Sequence, residues 1–347
     1  MKPLISFIVP VFNNEATIRN CVDSILNQVD CTVELILVDD GSKDSSYDIC
    51  KTFVDLNPNV KLIHQENHGV SAARNIGIDH ATGKYISFVD ADDFLPSDFV
   101  KQMLDQAGTD ADMIACTCFA VIDGEQVPQH FFPTTFNAEY DQRRKQDIFH
   151  QLMDTSYMQM EPVYTGIGVP WGKLIKASVI KENDLRFDVS LDHYEDNLFI
   201  LSLYYLTDKI VFLNQCLYYY STSHITSVLS KYDEKIVKSY LSLYRLRNEL
   251  IRNNMNKTNE EMLRHFKLAS LNLFDIAVFS MIINQKKDSV LHKCITVKNC
   301  VEHTGYLSFF RTDLDGLQLT AKRKTLYCML SHKLYFPVVA ALLIRHM

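Results

Sequence analysis

No stretch of this 347-residue chain reaches the roughly 18 consecutive apolar residues that a membrane-spanning helix needs. The nearest, LYFPVVAALLI at 334–344, is too short. Nine cysteines, at 21, 31, 50, 116, 118, 216, 294, 300 and 328, are odd in number and contain no CxxC pair. That argues against a disulfide framework or a zinc site and fits reduced thiols in a cytoplasmic protein. The opening MKPLISFIVPVFNNE lacks the apolar stretch and cleavage site of a secretory signal, so a strand is expected almost at once. Basic charge is short too. With 35 Lys and Arg against 42 Asp and Glu the net charge is −7, and no nucleic-acid partner is expected. There is no GxxxxGK[ST], no GxGxxG after the first strand, no internal repeat and no low-complexity linker.

What is present is an ordinary globular composition, 47% apolar and 22% charged, long enough for two domains or one large domain with an appendage. LISFIVPVF (4–12), VELILVDD (33–40), VKLIHQ (60–65), KYISFVDAD (84–92) and DMIACTCFAVID (112–123) are apolar runs of strand length. Between them lie helical patterns, such as Ile18, Cys21, Val22, Ile25 and Leu26, GVSAARNIGIDHATG, and PSDFVKQMLDQA with Pro96 in its first turn. Strand and helix alternate to about residue 123, which predicts a doubly wound, mostly parallel α/β sheet. Residues 124–228 are irregular. From 229 the pattern is helical, with apolar stripes through Ile236, Val237, Tyr240, Leu243 and Tyr244 and through Met262, Leu263, Phe266, Leu273 and Phe274. The expected divisions are therefore 1–123, 124–228 and a helical region 229–347.

The acids fall at strand ends. Asp39 and Asp40 close the second strand, and Asp90, Asp92 and Asp93 follow YISFV. Like charges this close disfavour one another's ionisation unless a cation or donor groups compensate. In an open α/β sheet, ligands bind beyond the carboxyl ends of the strands, so these acids converge on one crevice. Carboxylates there suit Mg2+ or Mn2+, which also holds phosphate oxygens.

PVFN (10–13), VDDGS (38–42), NHGVSAARN (67–75) and DADD (90–93), followed by VPWGKL (169–174) and YEDNLF (194–199), resemble the family 2 glycosyltransferases. The matches extend over roughly residues 3–228. The resemblance implies the GT-A fold with a C-terminal helical region appended. It further implies an inverting, metal-dependent enzyme of the bacterial single-transfer type, moving one hexose-type sugar from a UDP-sugar. QxxRW and membrane spans, marks of the processive synthases sharing the fold, are absent.

By the same resemblance, Pro10, Phe12, Asn13, Asp40, Arg74, Asp90 and Ala91 form the nucleotide-sugar seat. Asp40 accepts a hydrogen bond from uracil, and Phe12 stands where a tyrosine ring is usual. Asp92, with Asp90, holds the metal. Asp196, the second acid of YEDNLF, is the catalytic base. Asp39 is expected to be a structural cap. Asp93 is either a further ligand or the cap of the next turn, and Asn75 either meets the donor or bonds to the crevice wall.

Four residues are expected at the acceptor: Glu195; Trp171, as a sugar platform or core; Lys173, near phosphate or an acid, or solvated; and His224, near diphosphate or metal, or in a plain loop. The expected acceptor is a glycan or lipid-linked oligosaccharide in lipopolysaccharide, capsule or other surface-polysaccharide assembly. The basic, apolar tail 322–347 either lies on the inner face of the membrane or packs in the protein. Two other functions fit part of the pattern: a metal-dependent nucleotidyltransferase and a catalytically silent nucleotide- or sugar-binding assembly protein.

Overall fold

The structure is a computed structural model that describes residues 3–108, 110–132, 134–153, 166–222, 234–283, 285, 288–314 and 316–343. They divide into two compact units. One comprises Met1–Leu152, Gln159–Val189 and Glu195–Thr226; the other comprises Met153–Met158, Ser190–Tyr194 and Ser227–Met347.

The first unit begins with the expected alternation: β1 (Ile5–Val11), α1 (Ile18–Leu26), β2 (Val33–Asp39), α2 (Ser46–Leu56), β3 (Val60–His64), α3 (Val70–His80), β4 (Tyr85–Phe88), α4 (Phe99–Ala107) and β5 (Met113–Ile122). β1 and β2 are buried along almost their whole length, so they read as unbroken apolar runs rather than alternating ones. α1 buries Ile18, Cys21, Val22 and Ile25, one helical stripe. α3 lies close against β1 because residue 77 is glycine: a Cβ there would sit 2.2 Å from Ile8 Cγ2. That approach fixes where the N-terminal half of α3 carries Arg74.

The irregular middle contains β6 (Glu125–Gln129), β7 (Phe136–Asn137), α5 (Gln142–Met153), β8 (Lys173–Lys176), α6 (Ala177–Glu182), α7 (Glu195–Leu206) and β9 (Ile210–Ser221). All nine strands form one sheet in the order β3-β2-β1-β4-β8-β5-β9-β7, with β6 paired to β5. β3, β2, β1 and β4 are mutually parallel. β8 runs antiparallel to both β4 and β5, and β9 parallel to β5. The sheet is thus mixed: parallel in its N-terminal half, with β8 reversed at the junction. Beyond the end of β8, Phe94 and Tyr219 exchange backbone hydrogen bonds, joining the turn after β4 to β9.

The second unit is helical: α8 (Glu234–Asn253), α9 (Glu260–Phe274), which runs on as a π-helical segment Asp275–Ile282, α10 (Val290–His303), α11 (Tyr306–Thr312), α12 (Ala321–Ser331) and α13 (Tyr335–Leu343). Side chains of Asn259, Ser289 and Thr320 cap α9, α10 and α12. The apolar stripes meet in an aromatic core that includes Tyr244, Phe266, Phe274, Tyr306 and Phe310. α13 buries Val338, Val339 and Leu342 and leaves Phe336 exposed. Among the described residues no helix is long and apolar enough to cross a membrane.

Candidate active site

The carboxyl ends of β1, β2 and β4 border a cavity of about 400 Å3 in the first unit. At the end of β2 the two acids part company. Asp39 is fully buried, with Oδ2 2.7 Å from His64 Nδ1 on β3. It is structural, though it ties β2 to β3 and is not the cap expected. The backbone N–H of Asp40 donates to Val11 O, tying β2 to β1. Its Oδ1 accepts from Gln65 Nε2 (2.5 Å) and His68 N (2.8 Å), and Oδ2 accepts from Gly69 N (2.9 Å). These bonds hold the start of α3, where Gly69 has φ +88°. A carboxylate offers about four acceptor positions, so Asp40, which lines the cavity, retains acceptor capacity there.

Phe12 stands at the rim with 45% of its surface exposed. Asn13 does not line the cavity. It adopts φ +56°, accepts from Lys43 N (2.8 Å) and donates from its own N–H to Ser42 Oγ, so it ties the β1–α1 loop to the β2–α2 loop.

After β4, Asp93 turns inward. It is 1% exposed and accepts from Tyr218 Oη (2.6 Å) and Ser221 N (2.8 Å). The same Tyr218 oxygen accepts from Asp90 N. Burial, reinforced by the charges of Asp90 and Asp92, pushes the Asp93 carboxyl well above the usual range. Asp93 is thus not the cap of the next turn that was one of its expected roles: its carboxylate anchors the turn to β9. Asp90, Ala91 and Asp92 line the cavity together with Pro10. Two carboxylates at the mouth of the sheet are the hard oxygen donors that Mg2+ or Mn2+ takes, so the residues present fit a divalent cation held by Asp92 and Asp90.

Arg74 is the centre of the site although it does not line the cavity. Its side chain is 4% exposed. Nη2 donates to Asp90 Oδ1 (3.0 Å), Nη1 donates to Asp196 Oδ1 (2.5 Å), and Glu195 Oε1 lies 3.8 Å from Nη1. Asp196 and Glu195 occupy the first turn of α7, where the helix dipole favours acids. Burial pushes the Asp196 carboxyl up to about 7, with Glu195 and Asp90 adding to the rise and Arg74 opposing it. Asn75 takes its wall role, exchanging two 2.9 Å hydrogen bonds with the Phe187 backbone.

Of the four expected acceptor residues, Trp171 and Lys173 are buried. Trp171 is 5% exposed and stacks on Tyr218 (4.5 Å between centroids) and Tyr220 (5.3 Å). It is core, and its buried indole offers no open face to a sugar. The Lys173 ammonium, 3% exposed, donates to Val169 O (2.6 Å), Gly166 O (3.2 Å) and Trp171 O (3.4 Å). Its bonds brace the 166–171 loop, its charge acts on Asp196, the nearby acid that was one of the expected alternatives, and burial pulls its pKa down to about 8. Glu195 lies in the first turn of α7 with its carboxylate 3.8 Å from Arg74 Nη1; His224 lies outside the described residues.

Sequence reading missed Asn67, Gly69, Val70 and Ala73, which also line the cavity. The NHGVSAARN stretch carries that signal, because Asn67, Gly69, Val70 and Ala73 all belong to it. Tyr218 left no signal, because its position depends on how β9 pairs.

The sequence model of the glycosyl transferase family 2 matches residues 6–166. The chain is 32% identical over 262 residues to the putative glycosyltransferase EpsH of Bacillus subtilis (strain 168), covering 74% of this chain and 72% of that one. Among solved structures, S. aureus TarS 1–349 in complex with UDP-GlcNAc superposes with a TM-score of 0.69 at 20% identity, covering 99% of this chain and 91% of that one. The mannosyltransferase PcManGT from Pyrobaculum calidifontis, in complex with GDP-Man and Mn2+, gives a TM-score of 0.51 at 14% identity, covering 99% and 88%. The two structures share the GT-A fold with this chain, and the similarity to EpsH extends across most of both sequences. The protein belongs to the family 2 glycosyltransferases.

Proposed function

We propose that this glycosyltransferase is an inverting, metal-dependent enzyme that moves one hexose-type sugar from a UDP-sugar to a glycan acceptor. The observation that carries the reading is the pairing of Arg74 with both Asp90 and Asp196, which supports a donor seat and a base that share one site. The UDP-GlcNAc complex of TarS and the Mn2+ complex of PcManGT support a nucleotide-sugar donor with a divalent ion.

In this mechanism Phe12 stacks on the base, Asp40 accepts from uracil N3–H, and Asp90 would meet the ribose or help to hold the metal. A divalent cation held by Asp92 and Asp90 would neutralise charge on the departing diphosphate. The acceptor hydroxyl oxygen forms its bond to the anomeric carbon on the face opposite the diphosphate. The carbon–oxygen bond to the diphosphate breaks with its electron pair, and the hydroxyl proton passes to Asp196. A carboxylate suffices, because the hydroxyl becomes acidic only as the new bond forms. A carboxyl held up to about 7 is a stronger base than an ordinary one and is still largely ionised above that pH.

The test is calorimetric titration of UDP with Mn2+, with and without chelator, on wild type and Asp92→Ala, followed by UDP release from UDP-sugars with Asp196→Asn as control. Metal-dependent binding lost in Asp92→Ala, with turnover lost in Asp196→Asn, supports the reading. Binding without turnover on any acceptor favours a silent sugar-binding protein. Pyrophosphate release from a nucleoside triphosphate favours a nucleotidyltransferase.

A lipid-linked acceptor on the inner face of the membrane fits the charge division. Residues 1–226 carry 16 Lys and Arg against 32 Asp and Glu, whereas residues 227–347 carry 19 against 10. Within the tail, Arg323 is paired with Asp275, which leaves exposed Lys322 and Lys324 with Leu334 and Phe336 as the candidate membrane contacts. Sedimentation with anionic vesicles should fall in the Lys322→Glu/Lys324→Glu/Phe336→Ser variant. Unchanged binding would remove this part of the proposal.

A further inference from the structure

Arg74 is the one cation in direct contact with three carboxylates, those of Asp90, Glu195 and Asp196, among the described residues. It is buried, packs over the Phe187 ring at 5.2 Å, and has no room to trade partners with solvent. Its two terminal nitrogens face opposite functions, one the donor seat and the other the candidate base. A divalent ion on the Asp90 carboxylate must therefore come close to a fixed positive charge. In a partly buried site like charges repel, and that repulsion subtracts from what the carboxylates contribute to holding a cation. A nucleotide diphosphate brings negative charge of its own and offsets that repulsion.

We propose that Arg74 makes metal and donor binding conditional on each other: it weakens the Asp90–Asp92 seat for a bare divalent cation, so that the cation is held firmly only together with a nucleotide diphosphate. This rests on the reading of the site as a metal and nucleotide-sugar seat. Arg74 is a positioning residue. Its Nη1 bond holds Asp196 in place, and its charge sets the affinity on the Asp90 side. By linkage, whatever factor UDP adds to Mn2+ affinity, Mn2+ adds to UDP affinity.

The experiment measures the Kd of Mn2+ alone and of Mn2+ with saturating UDP, by calorimetry, on wild type, Arg74→Met, Arg74→Gln and Arg74→Lys. Circular dichroism and melting confirm the fold of each variant. Arg74→Met and Arg74→Gln should bind bare Mn2+ about tenfold more tightly than wild type, and the enhancement by UDP should shrink about tenfold. Their kcat should drop about 100-fold, since Asp196 loses its tether. Arg74→Lys restores the charge but not the fork. It should return bare-Mn2+ affinity to the wild-type level while kcat stays low.

A merely structural arginine predicts the opposite sign, because loosening the acids weakens bare-metal binding. That weakening, or an unchanged enhancement by UDP, in whichever neutral variant folds, overturns the proposal. Should neither neutral variant fold, Arg74→Lys decides: bare-metal binding different from wild type overturns it. Failure of the underlying reading looks different, since wild type itself would then bind neither Mn2+ nor UDP.

Discussion

The acidic turns after β2 and β4 border the same cavity, but they use their acids in reversed order. After β2 the first acid, Asp39, points inward to His64, and the second, Asp40, lines the cavity. After β4 the first and third residues, Asp90 and Asp92, line the cavity, and the last, Asp93, points inward to Tyr218 and Ser221. Sequence spacing does not decide which acid of a cluster faces the ligand. The inward partner decides it: an edge-strand histidine in one case, a tyrosine and a backbone N–H of β9 in the other. Each turn thus pairs a supporting acid with one or two that are open to chemistry, and the two kinds should respond differently to substitution.

The largest effect is expected where the site's acids meet α7. Asp196→Asn should lower kcat about 1000-fold, about 4 kcal/mol of barrier, while UDP binding persists. In the proposed mechanism the ionised carboxylate is the active form and burial favours the protonated one, so wild-type kcat should fall about tenfold per pH unit once pH drops below about 7. A kcat profile flat from pH 5 to 8 would assign the proton to another group.

The next contrast lies within DADD. Asp92→Ala should abolish metal-dependent UDP binding, about a 100-fold loss, and leave the melting temperature nearly unchanged. Asp93→Ala should do the reverse first: it strands the Tyr218 hydroxyl and the Ser221 N–H and destabilises the fold by about 2–3 kcal/mol. Asp93→Asn keeps an acceptor in the turn and removes a charge that burial, Asp90 and Asp92 all oppose, so its cost should stay under about 1 kcal/mol. If Asp93→Asn proves as harmful to Mn2+ binding as Asp92→Ala, the division between supporting and open acids fails at this turn.

After β2 the same contrast should be weaker. Asp40→Asn replaces an oxygen acceptor by a donor at one position and should reduce UDP affinity about tenfold. Asp39→Asn, away from the cavity, should cost about 1 kcal/mol of stability and leave UDP affinity alone. Equal losses of UDP affinity in the two variants would make the pair one functional unit.

These contrasts also mark what the sequence reveals. The alternation to residue 123 is legible because parallel strands are buried on both faces and their helices on one. Each element therefore carries its own pattern, as β1 and α1 do. The acids of the cavity are legible because each closes a strand. Past residue 124 the pattern fades, since β7 and β8 are two and four residues long and β8 is reversed between β4 and β5. Trp171, Lys173 and Tyr218 are read poorly for one reason. Their roles come from contacts made across β8 and β9: a stack on Tyr218, three loop carbonyls, and a hydroxyl bridging Asp93 and Asp90 N. Arg74 joins Asp90 to Asp196, reaching 122 residues along the chain to the latter, and no local pattern encodes it.

The smallest expected effect belongs to the one large apolar ring on the rim. Phe12 leaves 45% of its surface in solvent, although its neighbours Val9 and Val11 on β1 are buried. An exposed phenyl gains nothing for the fold, so removing it should not lower the melting temperature. If the ring covers a nucleotide base, Phe12→Leu keeps the apolar contact but loses the flat face. The expected loss is about 1 kcal/mol, a fivefold rise in the Kd of UDP. Phe12→Tyr restores the family's usual residue and keeps the face, so its Kd should match or better that of wild type. The sugar is remote from this contact in the proposed pose, so the loss should be the same for UDP and for a UDP-sugar. A Phe12→Leu effect confined to the UDP-sugar would move the ring from the base to the transferred sugar and redraw the orientation of the donor in the cavity.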